Sequence, residues 1–226
     1  FFNKGFVMNP QLILLGAPGA GKGTQAARLV SEFGYSHIST GELLRGEVAK
    51  GTALGQRVKT IMDAGDLVDD GIVLELLQAN CDLDNKAYIF DGFPRNIEQA
   101  KALDSEVLKG INAKAIYFEM DLEVLVERVS NRRIALQSGE IYNLISKPPK
   151  TAGKCDVSGE GLVQRKDDNE GTVRNRMNIF KETNGPVVEF YDGKNTLSRL
   201  DASEPQDSVF KKLSEVLATT RSVAGD

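Results

Sequence analysis

The alternation of apolar and polar positions divides the chain into short, fully apolar runs separated by stretches of helical period. Gln11 to Leu15 is an apolar run that predicts a buried strand; Lys22 to Phe33 follows, with Ala26, Ala27, Leu29, Val30 and Phe33 apolar at helical spacing. A short extended piece at His37 and Ile38 leads into Ser39-Thr40-Gly41-Glu42, which has the S-x-x-E form of a capping box. Leu43, Leu44 and Val48 supply the buried stripe of that helix, and Arg45 lies on another face. Gly51 ends it, Ala53 to Ala64 is the next helix, Gly65 ends that one, and a third runs from Asp70 to Asn80. These three form a small helical subdomain between strands.

Ala87 to Phe90 is apolar throughout, as a parallel strand covered on both faces should be, and runs into Asp91-Gly92-Phe93-Pro94-Arg95. A helix across Ile97 to Leu103, a strand from Lys114 to Met120 and an amphipathic helix from Leu122 to Arg132 come next, the last with Leu122, Leu125, Val126 and Val129 on one side. From Ile134 to Asp168 the period disappears into segments rich in Gly, Pro, Ser and Lys, with short β-like pieces such as Ile141-Tyr142, which reads as an inserted flap of functional kind. Beyond it, Glu170 to Lys181 is helical, Asn184-Gly185-Pro186 stops that helix, and Val187 to Tyr191 begins another. Thr196 to Leu200 is the last strand. Pro205 to Thr219 is a terminal helix with Val209, Phe210, Leu213, Val216 and Leu217 inward, and Val223 to Asp226 should fray. There are no internal repeats.

Composition narrows this to one α/β domain with an insertion. The chain has 226 residues, of which 41% are hydrophobic and 27% charged, in the range of ordinary globular proteins. A formal charge of −4 argues against general affinity for nucleic acid or an anionic membrane, so phosphate binding has to come from clustered arginines. Cys81 and Cys155 stand far apart, give no disulfide framework and fit a reducing compartment, with cytoplasm the default. No stretch is long enough to span a membrane, and the first residues lack the hydrophobic core and cleavage site of a signal peptide. Residues 1–9 read as a leader, with Met8 the expected natural start.

The strongest chemical signal is Gly16 to Thr24, GAPGAGKGT, directly after the first strand. Its glycines let the backbone N–H groups of Gly19, Ala20, Gly21, Lys22, Gly23 and Thr24 approach phosphate oxygens, the following helix points its positive end at them, and Lys22 reaches the outer phosphates. One departure is Gly23, where Ser or Thr usually offers magnesium a ligand; Mg²⁺ tolerates this because it keeps waters and takes ligands from the phosphates. Asp91, at the end of a buried strand, either holds a water on magnesium or caps the next helix. Arg128, Arg132 and Arg133 crowd one helix end, more cations than its dipole requires. His37, the sole histidine, reads as structural, and no Ser/His/Asp or Cys/His group can be assembled.

Together, GAPGAGKGT, ISTGELLR at Ile38 to Arg45, DGFPR at Asp91 to Arg95, SGEIYN at Ser138 to Asn143 and RKDD at Arg165 to Asp168 resemble the long-lid adenylate kinases, from about Pro10 to Ala218. The resemblance implies a P-loop nucleoside monophosphate kinase fold in a single domain, residues 10–218. Within it come a five-stranded parallel sheet flanked by helices, a helical AMP-binding insertion at 40–68 and a small β-rich lid at 131–168, with a tail at 219–226. It implies that Thr40, Arg45, Arg95 and Gln99 hold AMP, beside Asp66, Leu67, Val68, Gly92, Phe93 and Pro94, and that Arg132, Ile141, Tyr142 and the backbone near Glu204 hold ATP. Lys22, Arg95, Arg128, Arg132, Arg165 and Arg176 are then the catalytic cations, Arg165 and Arg176 also reaching AMP, with Asp91 on magnesium through water. The implied reaction is transfer of the terminal phosphoryl group of Mg·ATP to AMP, giving two ADP, by a monomer. Rivals are GTP as donor on the same fold, UMP or CMP as acceptor, and a nucleotide-binding regulatory module without turnover. In zinc-bearing members two thiolate pairs clamp the lid; here the matching positions are Ala135, Ser138, Cys155 and Ser158, so structural zinc is not expected.

Overall fold

A computed structural model describes residues 9–223; the expected leader, up to Met8, and the last three residues of the expected fraying end lie outside them. The strands are β1 (Gln11–Leu15), β2 (Ser36–Ser39), β3 (Tyr88–Asp91), β4 (Ala113–Glu119), β5 (Arg132–Ile134), β6 (Ile141–Asn143) and β7 (Leu197–Asp201). Five of them form one sheet in the order β2-β3-β1-β4-β7, every pair parallel; β5 and β6 form a separate antiparallel pair. The helices are α1 (Lys22–Phe33), α2 (Thr40–Ala49), α3 (Ala53–Ala64), α4 (Asp70–Asn80), α5 (Ile97–Ala102), α6 (Leu122–Ser130), α7 (Glu170–Gly193) and α8 (Gln206–Val223).

The sheet is apolar on both faces because helices cover both. Along β1, Leu12 and Leu14 enter one core with Ala26 and Leu29 of α1, Leu125 and Val129 of α6, and Phe210 and Leu213 of α8. Ile13 and Leu15 point the other way, into a core with Phe90, Leu103, Leu44 of α2, Val58 of α3 and Leu77 of α4. The strict alternation of a pleated strand thus divides one run of five buried residues between two layers. The insertion has a small core of its own, Ala135, Tyr142 and Cys155, with Leu162 packed against it.

Five sequence expectations are corrected. Arg132 and Arg133 do not end α6, which stops at Ser130; they open β5, and only Arg133 turns back to the helix end, donating from Nη1 to the Ser130 carbonyl at 3.3 Å. Ser39 occupies the cap position of α2, but its side chain accepts no cap hydrogen bond, so the S-x-x-E box is not closed; Ser39 is instead the last residue of β2, paired with Asp91. The helix begun at Ile97 runs past Leu103 as a π-helix to Leu108, which brings Leu103, Val107 and Leu108, spaced by four and five, to one buried face.

The largest correction is α7, which continues through Pro186 instead of stopping at it. Proline in a helix interior costs about 3 kcal/mol. Val173 and Met177 lie in one core and Val187 and Tyr191 in the other, so a break would withdraw one end from its layer. Burying such side chains is worth about 1.5–3 kcal/mol each, enough to outweigh the proline. Likewise α8 continues past Thr219 to Val223.

Candidate active site

Every candidate residue on the sheet lies at the carboxyl ends of its strands, where ligands bind in open α/β folds. From β1 the chain enters the glycine loop. Gly16 has φ +138°, and a Cβ there would lie 2.8 Å from the Phe118 carbonyl oxygen, so the loop can hug β4 only without a side chain. Gly21, left-handed, is the N-cap of α1, whose first turn contains no acid to neutralise its positive pole. Lys22 Nζ donates to the Gly16 carbonyl at 2.7 Å and to that of Ala17 at 3.0 Å, folding over the cradle it closes. Desolvation, reinforced by Arg95, Arg176 and Arg132 and opposed by Asp91, pushes its ammonium down to about 8.

From β3 comes Asp91. Burial alone would raise its carboxyl, but His37 and Lys22 outweigh that and hold it below the usual carboxylate range. His37 Nε2 lies 3.4 Å from Asp91 Oδ2, a closeness that a structural reading of this histidine does not anticipate. The signal for it is register: β2 pairs with β3 so that Ser39 is opposite Asp91, and His37, two residues earlier, shares that face. A Cβ on Gly23 would lie 3.7 Å from Asp91 Oδ2, which leaves this oxygen uncovered from the loop side.

Around the cradle the arginines are held by acids. Arg132 donates from Nε and Nη2 to the two oxygens of Asp168, at 2.8 and 2.6 Å, and Asp168 is fully buried. Arg165 grips Asp167 in the same forked manner, Nε to Oδ1 at 2.9 Å. Arg176, from α7, donates from Nη1 to the Asp167 carbonyl oxygen at 3.1 Å and approaches both carboxylates. Desolvation first, and repulsion from neighbouring arginines with it, pushes Arg176 and Arg45 each down to about 10, still cationic at neutral pH. Asp167 and Asp168 were legible only as part of RKDD; their role as arginine holders becomes visible once Arg132, 36 residues from Asp168, lies beside them.

A cleft between α2, the end of β3 and the segment before α4 is lined by Thr40, Asp66, Leu67, Val68, Arg95 and Gln99, among others. Thr40 is buried and donates to the Gly92 carbonyl at 2.8 Å. Pro94 follows Phe93 through a cis peptide, and both are buried. Asp66 uses its carboxylate to accept from Asn175 Nδ2 at 2.9 Å, tying this cleft to α7. Gly65 makes the same contact possible: with φ +84°, a Cβ on it would lie 2.9 Å from Thr172 Cγ2.

In the insertion, Tyr142 is buried and its hydroxyl accepts from Asp156 N at 2.7 Å, so its ring serves the insertion's own core; Ile141 beside it is exposed. Arg128 stands on α6, half-buried, its carbonyl accepting from Asn143 Nδ2 at 2.8 Å. Glu204 follows β7 and pairs with Lys212 at 2.5 Å. Ala135, Ser138, Cys155 and Ser158 fall on two like turns, each closed by a glycine N–H, Gly139 to the Ala135 carbonyl and Gly159 to that of Cys155, both at 2.9 Å. Burial would raise the Cys155 thiol, but hydroxyls led by Ser138 and Ser158 bring it down to about 6. Among the described residues no group of three or more His, Cys, Asp or Glu is placed to hold a metal ion.

The adenylate kinase family profile matches residues 14–196, spanning the glycine loop, both insertions and all of α7. The chain belongs to the adenylate kinase family. Among curated relatives, the adenylate kinase of Thermosipho africanus is 43% identical over 211 residues, covering 91% of this chain and 98% of the relative. That of Petrotoga mobilis is 43% identical over 210 residues, covering 92% and 97%, and that of Lachnospira eligens 39% over 216 residues, covering 92% and 99%. The adenylate kinase likeness therefore runs through the sheet, the cleft and the arginine cluster alike.

Proposed function

We propose that this chain transfers the terminal phosphoryl group of Mg·ATP reversibly to AMP, giving two ADP. One observation carries the reading: six cations, Lys22, Arg45, Arg95, Arg132, Arg165 and Arg176, share one cleft, and among the described residues four acids, Asp91, Asp167, Asp168 and Glu42, lie close by to balance them. Such an excess of positive charge in a partly desolvated cleft is matched by the phosphates of two nucleotides and stabilises the charge spread over a phosphoryl group in transfer.

Asp167 and Asp168 fix the guanidinium planes of Arg165 and Arg132 from one side and leave the far N–H donors for phosphate oxygens. Lys22 exchanges the carbonyls of Gly16 and Ala17 for the outer phosphates. The ionised Asp91, uncovered beside Gly23, fits a magnesium ion held through water, which when bound supplies further neutralising charge on the phosphates. Residues 40–68 act as the AMP subdomain, holding AMP with Thr40, Arg45, Arg95 and Gln99. Residues 131–168 act as the lid, and Ile141 and the backbone at Tyr142 and Glu204 meet the ATP base. Closing these two parts excludes water, whose attack would hydrolyse ATP. The lid holds without structural zinc. The protein works as a monomer in the cytoplasm, apart from nucleic acid and membrane; its −4 charge fits this, and no described helix is long and apolar enough to cross a membrane.

A coupled ADP assay crossing ATP and GTP with AMP, GMP, UMP and CMP tests the reading. ATP with AMP should turn over fastest. A faster rate with GTP as donor would move the chain to a GTP:AMP phosphotransferase, and absence of turnover in every pair would make it a nucleotide-binding module.

A further inference from the structure

Gln99 is 2% exposed and lines the cleft assigned above to AMP. A primary amide carries two N–H donors and two carbonyl lone pairs. Half of this set is already engaged by the protein. Gln99 Nε2 donates to Asp70 Oδ1 at 2.6 Å, and Gln99 Oε1 accepts from the Arg95 backbone N–H at 2.7 Å. Asp70 is itself held: Asn96 Nδ2 donates to its two oxygens at 3.2 and 3.1 Å, while Asn96 Oδ1 caps α5 by accepting from Gln99 N at 2.8 Å.

This network gives the amide one stable orientation. Rotating it by half a turn would set its carbonyl oxygen against the Asp70 carboxylate and its NH₂ group against the Arg95 N–H, replacing two hydrogen bonds by two repulsions in a buried place. One N–H and one lone pair then remain for a ligand, in fixed positions. Adenine presents an acceptor, N1, beside a donor, the N6 amine, and meets them. A 6-oxopurine presents N1–H and O6, donor and acceptor exchanged, and would need the rotated amide. We propose that Asp70 is a positioning residue that locks Gln99 in the orientation that pairs with adenine and refuses 6-oxopurines. The proposal rests on the AMP reading of this cleft and adds to it a residue outside the cleft lining.

Asp70→Asn tests it, because an asparagine can donate as well as accept and so removes one of the two repulsions that oppose the rotated amide. With ATP as donor, kcat/KM is measured for AMP and for IMP, which carries the 6-oxo edge without a 2-amino group. The unmodified protein should strongly prefer AMP. In Asp70→Asn the AMP:IMP ratio should fall by about tenfold, the size of one buried hydrogen bond, while KM for ATP stays unchanged. Parallel loss of both substrates with the ratio intact would overturn the proposal and reduce Asp70 to a buttress of α4. No phosphorylation of AMP by the unmodified protein would be a different failure, that of the AMP reading itself. A second measurement does not depend on the variant folding. In the nucleotide-free protein one Gln99 side-chain amide proton should lie well downfield of its geminal partner and exchange slowly with water; a pair with the shifts and exchange rate of a solvated glutamine would equally overturn the lock.

Discussion

Lys22 stands between two opposed effects: the cleft desolvates it and surrounds it with arginines, while Asp91 and the loop carbonyls hold it. Its value of about 8 in the folded chain lies below the ordinary lysine value of 10.5, so between these two pH values the unfolded chain binds more protons. The contribution of this group to stability is therefore full above 10.5 and lost as pH falls through about 8. Bound phosphate reverses the balance by favouring the charged form. ATP binding should thus take up about half a proton near pH 8 and more above it, and affinity should weaken as pH rises through that range. Calorimetry in two buffers of different ionisation enthalpy measures the uptake, which should vanish in Lys22→Met. Zero uptake in the unmodified protein would mean that the lysine stays charged in the empty cleft. The cradle was readable because its geometry depends on nine consecutive residues. The bond between Asp70 and Gln99 was not, because 29 residues separate them.

Among the elements, α7 shows most clearly how packing overrides a local signal. Asn184-Gly185-Pro186 carries strong helix-breaking chemistry, yet the helix passes through it because its two ends serve cores on opposite faces of the sheet. Around that point Thr183 Oγ1 donates to the Ile179 carbonyl at 2.9 Å and Asn184 Nδ2 to the Tyr117 hydroxyl at 3.0 Å, fastening the segment. Pro186→Ala should then restore a helix donor and raise unfolding stability, by up to about 3 kcal/mol. If two helices met at Pro186, alanine would instead loosen the unfolded chain and lower stability by about 0.4–1 kcal/mol. Urea titration of the two proteins decides by the sign of the change. The helices from Ala53 to Ala64 and from Asp70 to Asn80 were legible to the residue, since glycine or capping signals and apolar period agree there.

At the scale of the whole molecule, the insertion differs from the sheet domain in what holds it. Two cores sandwich the sheet, whereas the hydrophobic core of the insertion is three buried side chains, Ala135, Tyr142 and Cys155, and Leu136 and Val157 beside it are more than 70% exposed. Hydrogen bonds assist: Glu160 accepts from Gln137 N and Ser138 N, both at 2.9 Å, and Ser138 Oγ lies 3.4 Å from Cys155 Sγ. So small a core gives the insertion a low local opening free energy. Native-state hydrogen exchange should show the amides of residues 134–163 exchanging well before those of β1 and β4. Metal analysis of protein purified without chelator should find no tightly held zinc; about one zinc per chain surviving dialysis, as a structural site would show, would overturn this account of the insertion.

The sequence by itself determined the buried strands and the glycine loop with its lysine directly after β1, because apolar period and glycine placement are properties of neighbouring residues. Only the tertiary structure decided which acid holds which arginine, that α7 survives its proline, that His37 meets Asp91 and that Gln99 faces one way. Each of those depends on groups far apart in the chain, whose contact exists only after burial has fixed the layers and removed the water that would otherwise satisfy them.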